Sequence, residues 1–81
     1  KPMSIFPNPA RDMLNISINI VKWQERLIKV SGLNGHEILS ETIAPGRAKH
    51  NIDISGWKPG IYIFALYEKG ELLQTEKVVV Y

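Results

Sequence analysis

The groups able to do chemistry are eight carboxylates (Asp12, Glu25, Glu37, Glu41, Asp53, Glu68, Glu71 and Glu76), two histidines and a few serines. A calcium loop takes alternating oxygen ligands from one tight turn, and no stretch of this chain spaces its acids that way. They read as solvated surface charge, the usual state of these residue types. His36 and His50 lie in or beside turns, and neither has a second ligand at i+2 or i+4. A metal ion needs several converging donors, so both read as surface histidines. Ser31, Ser40 and Ser55 lack the strained strand-to-helix turn that exposes a nucleophilic serine. The six glycines are dispersed among separate turns and form no phosphate-cradling loop. With no cysteine, disulfides, thiolate metal sites and thiol nucleophiles are excluded. The chain reads as non-catalytic, without cofactor or metal.

Composition narrows the remaining classes. A chain of 81 residues holds one domain, residues 1–81, with a thin core and little room to wrap a substrate cleft. Charged residues make up 22%, mixed in sign, which is too few and too balanced for disorder. The formal charge is +2, and the basic residues are scattered, often beside an acid. Nucleic-acid binding needs a clustered basic stripe, and none is visible. The apolar run Val78-Val79-Val80-Tyr81 falls far short of the roughly 20 residues that span a bilayer. No signal peptide or lipidation motif is visible. Opening on Lys1-Pro2 instead of methionine, the sequence reads as a piece of a longer polypeptide.

The elements that would position any site are strands. Ser4–Phe6 is a short strand stopped by Pro7 and Pro9, which lack the N–H a ladder requires. Leu14, Ile16, Ile18 and Ile20 then alternate with Asn15, Ser17 and Asn19, which predicts a strand with one buried face. Val21–Glu25 is a polar interruption carrying Trp23. Leu27–Val30 follows, with Ile28 and Val30 inward, and Ser31–Gly35 turns back. Asn34-Gly35 alone would make a two-residue hairpin, but that register sets Ile28 opposite Glu41. A five-residue connection, setting Ile28 opposite Ile38, is the expectation. Glu37–Ile43 returns, Ala44–Ala48 connects, and Lys49–Ile54 buries Ile52 and Ile54. Ile61–Glu68 is apolar on both faces and is expected mid-sheet, covered on both sides. Lys69-Gly70 closes a hairpin into Leu72–Tyr81. About seven strands at this spacing, with no helical period, predict an all-β immunoglobulin-like sandwich of antiparallel strands.

The aromatic residues raise one binding reading. Trp23, Trp57, Tyr62 and Tyr67 would make a sugar-stacking platform if they shared a face. Trp57 precedes a Pro-Gly turn, where such a residue plugs the end of a sandwich, and Tyr62 is expected inward. Trp23 is left as the one exposed aromatic. Asn15-Ile16-Ser17 matches an N-glycosylation triplet, which has meaning only in a eukaryotic secretory protein.

Four phrases in order carry a resemblance. Phe6-Pro7-Asn8-Pro9-Ala10 with Leu14-Asn15-Ile16 resembles the opening of the type A C-terminal sorting domains of the Bacteroidetes type IX (Por) secretion system. Ile28-Lys29-Val30 with Leu33-Asn34-Gly35 resembles that family's hairpin, and Ile52–Tyr62, through Gly60, resembles its second turn. Lys77-Val78-Val79-Val80 resembles its closing strand. Gly32 stands where the family often has Asp or Asn, Trp57 where Leu is usual, and Tyr81 where a basic residue is common. The resemblance implies a signal fused to a larger cargo, which it takes from the periplasm through the outer-membrane translocon to the cell surface or medium. A sortase-like peptidase then typically removes the signal, and the cargo is attached or released. Recognition is expected at Lys77, Val78, Val79, Val80 and Tyr81 as an accessible strand edge, with Val78 and Val80 reading equally as core residues of a final strand. The alternative is a fibronectin-type or carbohydrate-binding module of an extracellular enzyme.

Overall fold

A computed structural model describes residues 1–19 and 24–81, and these form seven antiparallel strands in two facing sheets. Sheet one has the order β1 (Met3–Phe6), β2 (Met13–Ile18), β5 (Lys49–Asp53). Sheet two has the order β4 (Glu37–Ile43), β3 (Arg26–Gly32), β6 (Gly60–Glu68), β7 (Glu71–Val80). This is the expected all-β, immunoglobulin-like sandwich. The inner faces interdigitate as the period-two pattern demands: Leu14, Ile16 and Ile18 from β2 meet Ile28 and Val30 from β3 and Phe64 and Leu66 from β6. Each such side chain, fully buried, contributes about 1.5–3 kcal/mol. Ile52 and Ile54 join them as expected, and so do Met3 and Ala10, which the sequence pattern did not mark. Ile20 and the Val21–Trp23 part of the polar interruption lie outside the described residues.

Two expectations about β6 and the first hairpin are corrected. The hairpin register sets Ile28 opposite Glu41 and Val30 opposite Leu39, not Ile28 opposite Ile38. The strands then slip by one residue, Ser31 facing Glu37, so the irregularity at Val30/Ser31 absorbs the mismatch. β3 runs on to Gly32, leaving only residues 33–36 as the connection. Glu41 tolerates its inward-facing place because His50 of the other sheet meets it at 2.6 Å. β6 is central because β3 and β7 both bond to it. Its second face is nevertheless open: Ile61 is 38% exposed, and Ile63 and Ala65 are half-buried.

The turns follow their sequence signals. Lys69 (φ 52°) and Gly70 (φ 79°) form the two-residue left-handed turn that joins β6 to β7. Gly60 enters β6 at φ 158°, a conformation side-chain-bearing residues rarely adopt. Just before it, Trp57 closes one end of the sandwich, its ring 4.9 Å from Tyr62 and 6.2 Å from Phe64. The Phe6–Pro7 and Asn8–Pro9 peptide bonds are both cis.

The terminal strand and the turn that holds it

β7 is the last strand of its sheet, so one row of its main-chain groups has no neighbouring strand. That row is nevertheless occupied near its end. Asn8, held between Pro7 and Pro9, lays its carboxamide along the edge. Its Nδ2 donates to the Lys77 carbonyl at 2.8 Å, and its Oδ1 accepts from the Val79 N–H at 3.0 Å. An amide side chain presents one donor and one acceptor at main-chain spacing, so Asn8 stands in for a residue of an eighth strand. Ala10 continues the ladder: its N–H donates to the Val79 carbonyl at 2.8 Å, and its carbonyl accepts from the Tyr81 N–H at 3.0 Å. The pairing of Ala10 with Val80 is parallel.

A second carboxamide does the reverse. Gln74 faces inward from β7, where the period-two pattern would place an apolar residue. Its Oε1 accepts from the Met3 N–H and its Nε2 donates to the Met3 carbonyl, both at 2.9 Å. The same Nε2 reaches Glu76 Oε1 at 2.8 Å, and Lys1 Nζ meets that oxygen at 2.9 Å. The hydrogen bond from Lys1, followed by that from Gln74, holds the Glu76 carboxyl below its ordinary value of 4.5. β1 and β7, edges of different sheets, are thus sewn together by a side chain from each direction. The Arg11 guanidinium lies over the Tyr81 ring at 5.1 Å, covering the end of the seam.

The five terminal residues sort into two sets. Val78 and Val80 are buried, opposite Tyr62 and Gly60. Lys77, Val79 and Tyr81 point outward, Val79 at 38% and Tyr81 at 57% exposure. The main-chain edge that was expected to be accessible is taken up by Asn8 and Ala10, because a proline-bracketed asparagine supplies the missing bonds locally. Of the other motif residues, Leu14 and Tyr62 are core, Gly35 (φ 85°) and Gly60 shape turns, and Phe6 is half exposed at 51%.

No sugar-stacking platform forms among the described aromatics. Trp57 and Tyr62 pack on each other, and the Tyr62 hydroxyl donates to the Lys58 carbonyl at 2.5 Å. Tyr67 lies under the Lys29 ammonium at 5.3 Å. Trp23 lies outside the described residues. Among the described residues no three His, Cys, Asp or Glu side chains converge, and no helix is long and apolar enough to cross a membrane. Nor are all the acids free in solvent. Glu68 pairs with the buried Arg26 at 3.0 Å, whereas the exposed Asp53 keeps its solvent and accepts locally from the Ser55 N–H at 2.9 Å.

Residues 4–81 match the family of the secretion system C-terminal sorting domain, essentially the whole length of the chain. The chain belongs to that family. No curated protein matches the sequence significantly. As a member, the sorting domain is a signal of the type IX secretion system, a kind of domain carried by a cargo protein that is secreted to the cell surface or beyond. The resemblance drawn from the four phrases is borne out. The Phe6–Ala10 phrase is now explained in this sorting domain by what it touches: it is the clasp on the last strand.

The Asn8 and Gln74 clasps were missed from sequence. A signal existed for the second: the inward row of β7 reads Gln74, Glu76, Val78, Val80, and two polar residues in such a row must face polar partners. No comparable signal marks Asn8, whose partners lie about 70 residues away.

Proposed function

We propose that the 81 residues act as one passive label, read on the outward side chains of the terminal strand. The label directs its cargo from the periplasm through the outer-membrane translocon. Removal by a sortase-like surface peptidase and attachment or release of the cargo follow. The domain performs no reaction of its own.

One observation carries this reading. With the main-chain edge bonded from the Lys77 carbonyl to the Tyr81 N–H, what β7 offers a reader is the outward row of Lys77, Val79 and Tyr81 side chains. Val78 and Val80 beneath them anchor the strand, its ladder with β6 sets the register, and Asn8 caps the open side. A strand backbone already held in place needs little further ordering when its side chains are bound.

The test is a reporter carrying the domain at its C-terminus, in a host with an intact type IX system. Deleting residues 77–81 should stop export, but it also strips Val78 and Val80 from the core. The sharper variant is Lys77→Glu with Val79→Lys and Tyr81→Asp, which leaves the buried pair in place. We expect a folded domain with export reduced at least about tenfold, as befits loss of a central contact patch. Unchanged export of that variant refutes the assignment of the reading surface.

A further inference from the structure

The two long seams of the sandwich are closed differently. The β1–β7 seam carries the clasps described above. Along the other seam run β4 and β5, each the last strand of its sheet. Among the described residues one side-chain bond joins those two strands, His50 Nε2 to Glu41 Oε1. Towards Trp57 this seam opens into a groove of about 210 Å³, with Leu39, Ile52 and Trp57 in its walls and Glu41 and Asp53 beside them.

The direction of the main-chain groups of β5 follows from its ends. The Ile54 N–H donates to the Asp12 carbonyl at 2.9 Å, and the Ile18 N–H to the Ala48 carbonyl at 2.7 Å. Antiparallel ladders bond at every second residue. With Leu14 opposite Ile52 and Ile16 opposite His50, the even-numbered residues of β5 therefore bond to β2. The odd-numbered ones turn their N–H and C=O groups to the open side. Arg47 Nε already donates to the Lys49 carbonyl at 3.2 Å. Among the described residues, the main-chain groups of Asn51 and the N–H of Asp53 have no such partner.

We propose that this edge of β5 accepts an extended segment of a partner protein, added as a strand across Asn51 and Asp53. Side chains directly opposite in a ladder share a face. The residue facing Ile52 therefore drops an apolar side chain into the groove against Leu39 and Trp57. The residue facing Asp53 lies on the outer face, where a basic side chain meets that carboxylate. The hydrogen bonds from Ser55, its N–H first, hold the Asp53 carboxyl below its ordinary value. The chain as a whole is +2 and Lys49 lies on the same outward row, so the Asp53 carboxylate is a local negative charge that favours a basic residue directly opposite it. This surface lies on the seam opposite the clasped one and does not depend on how the terminal strand is read.

The probe is a capped heptapeptide alternating Val with Lys, titrated into the 15N-labelled domain. Controls are the Val/Glu counterpart and the Val/Lys peptide with a central proline. Expected are saturable shifts of the Asn51 and Asp53 amides, with binding about two- to fivefold weaker for the Glu peptide, the scale of one exposed ion pair. The proline peptide should not bind. Asn51→Pro removes an outward N–H without touching the β2 ladder and should abolish the shifts. Asp53→Lys, a surface change, should reverse the peptide preference. No shifts with the Val/Lys peptide, shifts mapping to another surface, equal binding of both charges, or concentration-dependent self-pairing of the domain at this edge would each overturn the proposal.

Discussion

Val79 is bonded on its open side by the Asn8 side chain, and the carboxamide fits the main chain there as a neighbouring residue of a strand would. The contact joins positions 71 residues apart and completes the hydrogen bonding of the strand on which recognition is placed. Its geometry makes separable claims about the two halves of the amide.

Asn8→Ala removes both bonds and should cost about 1–3 kcal/mol in denaturant unfolding, one modest net contribution for each bond. Amide exchange at Val79 should quicken in parallel. Asn8→Asp keeps an acceptor for the Val79 N–H but sets a carboxylate against the Lys77 carbonyl. It should therefore retain Val79 protection while still losing stability. Self-association of Asn8→Ala on size-exclusion chromatography is the further expectation, because an uncovered edge is free to pair.

Much of this architecture was legible in the sequence, and where it was not the reason is physical. The period-two run in β2, the Lys69-Gly70 turn and the strand boundaries of Glu37–Ile43 are local signals that the structure matches, whereas the two-faced apolar pattern of β6 overstates its burial. The first hairpin was misjudged because its register is set by a partner outside it. Glu41 opposite Ile28 looks poor until His50, on the other sheet, supplies the polar contact. The Asn8 and Gln74 clasps share that character. They are long-range bonds from polar side chains to main chain, and no spacing rule within one element exposes them.

Arg26 and Glu68 illustrate the same blindness in the core. They face each other across β3 and β6 at 3.0 Å, with side chains only 7% and 16% exposed. Glu68→Leu leaves a buried guanidinium without its carboxylate and should cost about 3–5 kcal/mol. Replacing both, as Arg26→Met with Glu68→Leu, should cost far less than that single change. Urea midpoints of the single and double variants decide it.

Acid sensitivity should trace partly to Glu76. The hydrogen bonds from Lys1 and Gln74 depress its pKa in the folded state, so the folded form resists protonation more than the unfolded one. The stabilisation is therefore complete above about 4.5, the unfolded value, and is lost as pH falls through the lower folded value. Glu76→Gln should lower stability near neutrality and flatten the acid limb of the curve. The limb should not vanish, since Asp53 is depressed in the same direction by Ser55. Denaturant unfolding of both proteins at pH about 7, 4.5 and 3 measures the difference.

The central claim is that this fold suffices as an export label. The most direct measurement attaches residues 1–81 to a reporter that otherwise stays in the periplasm and follows its location in hosts with and without a working type IX translocon. Reporter should reach the cell surface or the medium only where the translocon works. A reporter that stays in the periplasm of the competent host, with the attached domain folded, would contradict the claim.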